Sequence, residues 1–394
     1  MPDHGRSAAA GPSTGGLGDI MGGSNFPTAS LAKFSPLQRV VLTANGNLQR
    51  LVSSYHDATV DVTIRHNRLK APGVYEREVD LTIFGVTFAR CTSTVRVDRD
   101  DYVRAIESGG VAIGQLFRKF HILPSFELHA FGVVEAAAGA KKRRRRNDDA
   151  AAAGEEQAPA EDDDEDAFRA ASLERFWRRY TLSGEGVTCQ IYEEIRSDLF
   201  ALEASEPIEP HHTGPPPPIP PSLGDIMAPA TTFSNLPEGF TPLQRLLLTA
   251  NGNVERVLSS YHNQQVQLLV VLNHKRENTS ATVYDREARL LLDNRTLMTA
   301  KSTCFLTDAT WSRVMEEERL PVGALFRRFN VLPTFTLHSA GIMPGGFWRQ
   351  YQLRAEGLTC EINETFDAGC YEGKPGSSRH GSSSELSRLS YGGV

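Results

Sequence analysis

The chain changes its hydrophobic period in a fixed order, which predicts two helices followed by a series of strands. Leu37, Val40 and Val41 have the i, i+3, i+4 spacing of a helix face, and Pro36 suits a first helical turn. Asn47 can cap a second helix with an apolar stripe over 48–55. Beyond it the period becomes two, which is typical of strands. The predicted strands are 58–65, 75–81, 86–97, 125–133 and 187–193, with short helices starting near 98–102 and at 113–120.

The same order of motifs occurs twice, which indicates an internal duplication. Three stretches of the first half recur at a constant offset of 206 positions. They are Leu17–Met21 and Leu223–Met227, Phe34–Arg39 and Phe240–Arg245, and Thr43–Asn47 and Thr249–Asn253. We therefore expect two domains built on one plan, and a chain of 394 residues is long enough for both. The expected parts are a disordered segment over 1–28, a first repeat over 29–202, a Pro-rich linker over 203–235, a second repeat over 236–370 and a disordered tail over 371–394.

The first repeat contains an insertion before its last strands. Trp177 and Trp348 are 171 positions apart, against 209 for the motifs just upstream, so 38 residues are inserted at about 135–173. The insertion is Ala-rich, then basic at Lys141–Arg146, then acidic, so we expect it to be disordered. The basic run fits either a nuclear-import signal or, as we favour, a solvated loop whose own acids neutralise it.

Composition limits the classes of protein that the chain could represent. A hydrophobic content of 40% with no run of about 18 apolar residues predicts no membrane span. The first 30 residues lack the apolar core of a secretory signal, although an organelle transit peptide stays open. A net charge of −6 argues against nucleic acid as a partner, and five cysteines without a CxxC pair favour a reducing compartment. We expect a cytoplasmic protein, with a nuclear or organellar location as the alternative.

Two carboxylates and two guanidinium groups stand on strand faces that are otherwise apolar. Glu193 shares a face with Val187, Cys189 and Ile191, and Glu364 occupies the same place in the second copy. Arg77 and Arg286 share faces with apolar residues of an earlier strand in each repeat. Because a buried charge without a partner costs several kcal/mol, these groups should pair with each other or bind a ligand. A buried Arg–Glu ion pair and a pocket for a small acid are both compatible with the pattern.

A glycine turn accompanies each of these sets. Gly114 follows Ile113 and Gly323 follows Val322, in each case at the start of a short predicted helix. Backbone amides at such a turn could face the same cavity as the arginine. No zinc spacing, Gly-rich phosphate loop or GxSxG motif competes with this constellation, so we expect no metal.

In its order of parts the chain resembles the chorismate lyase family and the related effector-binding domains of bacterial transcription regulators. The helix pair with Thr43–Asn47 is similar to the start of the family's actinobacterial branch, which forms 4-hydroxybenzoate. The stretch Tyr75–Val79 resembles the strand that carries the arginine for the ligand's ring carboxylate. Ile113-Gly114 and Pro321–Gly323 resemble the turn whose amide contacts that carboxylate. The ends of the last strands, at Glu193 and Glu364, resemble the position of the glutamate that meets the ligand's hydroxyl.

The resemblance covers roughly 34–200 and 240–368 and implies both a fold and an activity. The fold would be α+β, with two tandem chorismate lyase-like domains, each an antiparallel sheet with helices packed on one side around an internal ligand pocket. The activity would be conversion of chorismate to 4-hydroxybenzoate and pyruvate without a cofactor. The alternatives are a non-catalytic module that binds a small aromatic carboxylate and has a regulatory role, and a purely structural tandem. The two repeats could also pack on each other.

The resemblance also implies roles for particular residues. Arg77 and Arg286 would hold the ring carboxylate, supported by the amides at Ile113-Gly114 and Val322-Gly323. Glu193 and Glu364 would act at the hydroxyl and ether end of the ligand as proton handlers or hydrogen-bond partners. The second repeat is the better candidate for activity, because it keeps Pro321 where the first repeat has Ala112 and because it lacks the insertion.

Overall fold

The computed structural model describes most of both predicted repeats. The described residues are 20–21, 28–108, 113–134, 168, 173–204, 236–277, 281–318 and 320–372. The other predicted segments, namely most of 1–28, most of the insertion, most of the linker and nearly all of the tail, lie outside the described residues. None of the described helices is long and apolar enough to cross a membrane.

Each repeat contains helices and six strands in the same chain order. In the first repeat the helices are α1 (Thr28–Leu31), α2 (Pro36–Leu42), α3 (Leu48–His56), α4 (Asp100–Glu107) and α5 (Ile113–Lys119), and a 3-10 turn covers Leu199–Ala201. Its strands are β1 (Asp61–Ala71), β2 (Val74–Ile83), β3 (Val86–Val97), β4 (Ser125–Val133), β5 (Arg175–Gly184) and β6 (Val187–Arg196).

The second repeat has the corresponding elements. Its helices are α6 (Pro242–Leu248), α7 (Val254–His262), α8 (Ala309–Glu317) and α9 (Val322–Arg328). Its strands are β7 (Gln267–Lys275), β8 (Thr282–Leu292), β9 (Arg295–Leu306), β10 (Thr334–Met343), β11 (Gly346–Ala355) and β12 (Leu358–Asp367).

Two six-stranded antiparallel sheets form the framework, so the α+β class predicted from the sequence is confirmed. The strand order is β1-β2-β3-β6-β5-β4 in one sheet and β10-β11-β12-β9-β8-β7 in the other, which is the same topology read from opposite edges. The last strand of each repeat therefore lies in the middle of its sheet, between the third and fifth strands. The strands predicted at 86–97 and 125–133 have those bounds, whereas β1 begins at Asp61 rather than near residue 58. The stretch Arg175–Gly184, which we did not assign to a strand, forms β5.

Local sequence explains how the first helix pair of each repeat begins. Ser35 and Gln38 form a reciprocal capping box at α2 with Pro36 in the first turn, and Thr241 and Gln244 do the same at α6. The expectation for Asn47 is wrong in one respect. It occupies the N-cap position of α3, but its side chain makes no capping hydrogen bond.

The helix pairs of the two repeats contact each other through a matched set of arginine hydrogen bonds. α2 packs against α7, and α3 packs against α6. Arg39 donates from Nε to the carbonyl of Ser260 at 2.9 Å, and Arg245 donates from Nε to the carbonyl of Ser54 at 3.0 Å. Because residue i of one repeat contacts residue j of the other and the reverse also holds, the contact has the form of a two-fold interface.

The first sheet contains a buried ion pair. Asp80 of β2 is buried and pairs with Arg90 of β3, whose Nε lies 2.9 Å from Oδ1. Phe168, a residue of the predicted insertion, is also buried, and its ring centroid lies 5.2 Å from the Arg90 guanidinium carbon. Part of the insertion therefore covers this ion pair.

Candidate functional site

The glutamate of each last strand is held by an arginine and a tyrosine from the neighbouring strand. In the first repeat, Arg178 Nε donates to Glu193 Oε2 at 2.6 Å, and the Tyr180 hydroxyl donates to Oε1 at 2.8 Å. Burial, followed by the negative charge of Glu193, raises the pKa of Tyr180 well above its ordinary value. The tyrosine therefore keeps its proton and remains a hydrogen-bond donor.

The second repeat has the same arrangement with nearly the same distances. Arg349 Nε donates to Glu364 Oε2 at 2.7 Å, and the Tyr351 hydroxyl donates to Oε1 at 2.8 Å. Burial and then Glu364 raise the pKa of Tyr351 well above its ordinary value. Each oxygen of Glu364 thus has one protein donor, which leaves one lone pair on each for a ligand.

These contacts correct the expectation that Arg77 and Arg286 could pair with the glutamates. Arg178 and Glu193 are directly opposite residues of β5 and β6, as are Arg349 and Glu364 of β11 and β12. Arg286 lies on β8, two strands from Glu364, with β9 between them. Neighbouring strands are about 4.8 Å apart, and the residue of β12 level with Arg286 is Ile362 rather than Glu364, so the two side chains start more than about 10 Å from each other.

Arg178 and Arg349 also hold the first helix of each repeat on its sheet. Arg349 Nη1 donates to the carbonyl of Leu248, the last residue of α6, at 3.0 Å and to that of Ala250, two residues further on, at 2.5 Å. Arg178 Nη1 makes the equivalent bonds to Leu42 at 3.4 Å and Ala44 at 2.5 Å, and a further bond to Val41 at 2.7 Å. A helix end leaves carbonyls without helical partners, and a guanidinium group satisfies them here. The buried ion pair is therefore part of the framework around the site.

Arg77 and Arg286 are buried, on the strand faces that the alternation predicted to be apolar. Arg286 Nη2 donates to the carbonyl of Leu320, and its Nε and Nη1 have no hydrogen-bond partner among the described residues. Arg77 Nε likewise has none there. Burial lowers the pKa of both guanidinium groups. Buried N–H donors of this kind are costly unless something else accepts from them.

A cavity of about 110 Å³ brings the predicted residues of the second repeat together. Arg286, Val322, Gly323 and Glu364 all line it. Its floor is the inner face of the sheet, and its sides are the start of α9, the start of α7 and Ile20 from the N-terminal segment. The second-repeat constellation thus shares one cavity, although Arg286 and Glu364 are not partners.

In the first repeat the predicted residues occupy equivalent elements. Ile113 and Gly114 form the start of α5, Arg77 lies on β2 and Glu193 on β6. The row of side chains beside the glutamate differs between the repeats. Val79 and Cys91 stand directly across the sheet from one another and next to Glu193, whereas Ala288 and Ala300 take these places next to Glu364. The alanines, both of which line the second-repeat cavity, leave space that the larger residues of the first repeat fill.

Two kinds of residue at the site were not predicted from the sequence. Arg349 has the same parity as Phe347 and Tyr351, so its inward direction was readable from the alternation in the stretch Phe347–Tyr351. Glu255 also lines the cavity and is buried, and it corresponds to Gln49 in the first repeat. No strand pattern could have shown Glu255, because it lies on the first turn of α7.

Two cysteines lie near Arg286. Cys304 and Cys360 are opposite residues of β9 and β12, and the Cys360 thiol donates to Cys304 Sγ at 3.1 Å. That hydrogen bond, with a further contribution from Arg286, lowers the pKa of Cys304, whereas burial raises that of Cys360. Cys189 and Cys360 are both fully buried, as expected for small core residues. Among the described residues, no group of three or more His, Cys, Asp or Glu side chains is placed to hold a metal ion.

Comparison with family models and with curated proteins finds no match for this chain. The family resemblance therefore depends on the motifs quoted above and on their order in the two repeats.

Proposed function

We propose that the second repeat binds a small aromatic or cyclic carboxylate in its cavity and converts chorismate to 4-hydroxybenzoate and pyruvate. The observation that carries the proposal is Arg286, a buried guanidinium group on the wall of an otherwise largely apolar cavity. The choice of chorismate comes from the resemblance of the motifs to the chorismate lyase family.

The donor set of Arg286 supports a carboxylate ligand. Its Nε and Nη1 have no partner among the described residues, while Nη2 is fixed on the carbonyl of Leu320. A planar guanidinium group binds a carboxylate through two parallel N–H···O bonds. Burial lowers the pKa of Arg286 because it disfavours the charged form, and a bound anion would offset that cost and satisfy the buried donors together.

The shape and lining of the cavity support a ring of modest size. An apolar cavity of about 150 Å³ holds benzene, so about 110 Å³ limits the enclosed part of a ligand to no more than one small ring. Leu268, Val270 and Leu353 supply apolar surface, and Arg286 and Glu364 line the same cavity from β8 and β12. A ligand with a carboxylate at one end and a hydroxyl at the other matches these two groups.

The proposed reaction needs no redox partner. The ether C–O bond of chorismate breaks, the ring loses one proton, and the enolpyruvyl group leaves and takes up a proton as pyruvate. Formation of the aromatic ring drives the step, so binding, orientation and exclusion of water are sufficient tasks for the protein. Glu364 would contact the hydroxyl and ether end, with its orientation fixed by Arg349 and Tyr351.

Turnover of chorismate tests the proposal directly. The purified protein is mixed with chorismate, and 4-hydroxybenzoate and pyruvate are followed by mass spectrometry. Arg286→Met should reduce product formation at least about tenfold, the effect of losing about 1.4 kcal/mol of binding. Arg77→Met, the same change in the first repeat, should leave most of the activity. Equal effects of the two variants, or turnover that survives Glu364→Gln combined with Glu193→Gln, would contradict the residue assignments.

A non-catalytic ligand-binding module is the second candidate. The observation that favours it is the close match between the Glu364 and Glu193 contacts, because an ion pair kept in both repeats can serve the framework alone. In that case chorismate is not consumed, but 4-hydroxybenzoate raises the melting temperature of the protein, and Arg286→Met abolishes the increase. If the protein shows neither turnover nor stabilisation, the two repeats are a purely structural tandem.

A further inference from the structure

Ile20 contacts the second repeat, far away along the chain, and Met21 beside it is buried as well. Both side chains are buried, with exposed fractions of 1% and 6%. The Ile20 amide donates a hydrogen bond to the carbonyl of Gly252 at 3.2 Å. A residue that belongs to the first copy of the duplicated sequence is therefore seated on the second repeat.

The surface that receives Ile20 is the turn between α6 and α7. Gly252 has φ of +88°, which favours glycine, and a β-carbon there would lie 2.3 Å from Ile20 Cδ1. The turn thus supplies a carbonyl acceptor and a notch that only a residue without a side chain leaves open. Burial of the apolar Ile20 side chain favours this contact.

Ile20 is also one wall of the cavity that contains Arg286 and Glu364. The contact therefore covers part of the space that the proposed ligand would occupy or pass through. Release of Ile20 would widen the cavity on the side of Gly252, which contacts Ile20, and of Val254 and Glu255, which follow Gly252 in the chain and also line the cavity.

The sequence around Ile20 marks it as a repeated unit. The pentapeptide Leu17–Met21 recurs without change as Leu223–Met227, at the same offset of 206 that relates the helix pairs. The residues that follow it, Gly22–Pro27, differ from those after the second copy. The pentapeptide is thus the same in the two copies, and so is its distance from α2 in one copy and from α6 in the other.

We propose that Ile20 and Met21, the end of this pentapeptide, form a strap of this chain that docks on the Gly252 turn and closes the second-repeat cavity. A ligand gains access only while the strap is released, so its apparent association rate is reduced by the closed fraction. The control of ligand access rests on the proposed function, whereas the docking of the strap does not.

Docking is tested without any small ligand. A fluorescent peptide of residues 15–24 is titrated into the full-length Ile20→Asp, Met21→Asp variant and into the wild-type protein, and its anisotropy is measured. The variant, whose own strap is displaced, should bind the peptide saturably, and the wild type should bind it at least about tenfold more weakly. Equal binding by the two proteins, or no binding by the variant, would overturn the proposal. If the Asp variant fails to fold, judged by circular dichroism, the milder Ile20→Ala, Met21→Ala variant replaces it.

Two glycine substitutions locate the docking surface. Gly252→Ala in the variant background should abolish peptide binding because its methyl group occupies the place of Ile20 Cδ1. Gly46→Ala, at the equivalent turn with φ of +82°, imposes a similar backbone strain but should leave binding to the second repeat unchanged. Loss of binding in both variants or in neither would contradict docking at Gly252.

Ligand kinetics then test closure. In stopped-flow binding of 4-hydroxybenzoate, the strap variant should show an association rate constant several-fold above that of the wild type. An unchanged association rate with faster dissociation would mean that Ile20 is only a wall of the cavity, and the strap proposal would be wrong. If 4-hydroxybenzoate binds to neither protein, the proposed function fails, while the peptide titration still decides whether the strap docks.

Discussion

Arg349 and Glu364 face each other on adjacent strands, with Nε 2.7 Å from Oε2, and both side chains are buried at the centre of the sheet. Arg178 and Glu193 repeat this relationship at 2.6 Å in the other sheet. In both cases the same arginine holds the end of a helix, α2 or α6, through backbone carbonyls. The buried charge pair thus connects the helix layer to the sheet in each repeat.

We predict that breaking this pair destabilises the protein strongly. Arg349→Met leaves Glu364 buried without its cation and frees the carbonyls of Leu248 and Ala250, so the free energy of unfolding should fall by about 3 to 5 kcal/mol. Urea denaturation measures the loss. Arg178→Met is the matched variant of the first repeat and should behave similarly.

The apolar replacement of the whole cluster distinguishes a buried charge from lost packing. Arg349→Met combined with Glu364→Leu and Tyr351→Phe leaves no unpaired charge or hydroxyl, so it should be less destabilising than Arg349→Met alone. A loss below about 1 kcal/mol for the single variant, the value of an exposed pair, would contradict the argument.

The arginine pairs illustrate what alternation along a strand can and cannot predict. Period two placed Arg77, Arg286, Glu193 and Glu364 on inward faces, and all four are buried. The partner of a side chain depends on which strand lies next to it and in which register. Because the last strand inserts between the third and fifth strands, Glu193 meets Arg178 rather than Arg77. Sheet order is set by long-range packing, which a local pattern does not contain.

The cavity was predictable only in part for a related reason. The arginine, the glycine turn and the glutamate were visible as separate motifs, and in the second repeat they line one space. The space itself depends on small residues at Ala288 and Ala300 and on Glu255 and Ile20, which come from distant parts of the chain. An alanine on a strand has no pattern that separates a cavity floor from ordinary core.

We predict that giving the second repeat the side chains that the first repeat has beside its glutamate will fill the second-repeat cavity. Ala288→Val combined with Ala300→Cys introduces the side chains found at Val79 and Cys91 next to Glu193. Affinity for 4-hydroxybenzoate, measured by calorimetric titration, should fall at least about tenfold, because added groups in a filled space cost about 1 to 3 kcal/mol. The control, Val79→Ala combined with Cys91→Ala, should leave the Arg286-dependent binding unchanged. Full affinity in the first variant would show that the ligand binds elsewhere.

We predict that Cys189 makes the protein less stable as the solution becomes alkaline. Burial raises the pKa of this thiol from 9.0 to about 12. Between those values the unfolded chain loses the proton while the folded chain keeps it, so deprotonation favours unfolding and stability falls as pH rises. The contribution of one such group cannot exceed about 1.4 kcal/mol per pH unit.

Comparison with Cys189→Ala isolates this group from the other alkaline titrations. At pH 8 the variant should be less stable than the wild type, because it leaves a small cavity. The difference in free energy of unfolding, measured by urea denaturation under reducing conditions, should narrow steadily from pH 9 to pH 10.5. A difference that stays constant over this range would show that the thiol does not hold its proton in the folded protein.

The contact between the repeats leads to a final prediction. Arg245 donates to the carbonyls of Ser54 and Tyr55 in the other repeat, at 3.0 and 2.8 Å, and to Phe240 in its own at 2.7 Å. Arg245→Met removes all three charged hydrogen bonds and leaves the carbonyls at the end of α3 without that donor. Since a hydrogen bond to a charged group contributes about 1.5 to 3 kcal/mol, the variant should lose at least that much stability.

Arg39→Met should have nearly the same effect, because Arg39 donates to Ser260, Tyr261 and Phe34 in the equivalent arrangement. Urea denaturation of both single variants and of the double variant tests this symmetry. Because the two guanidinium groups bind different helices, the losses should add in the double variant if the repeats unfold as one unit. If instead the repeats unfold independently, removing a contact between them should hardly change the free energy of unfolding. A loss below about 0.5 kcal/mol in both single variants would therefore contradict a structural role for the interface.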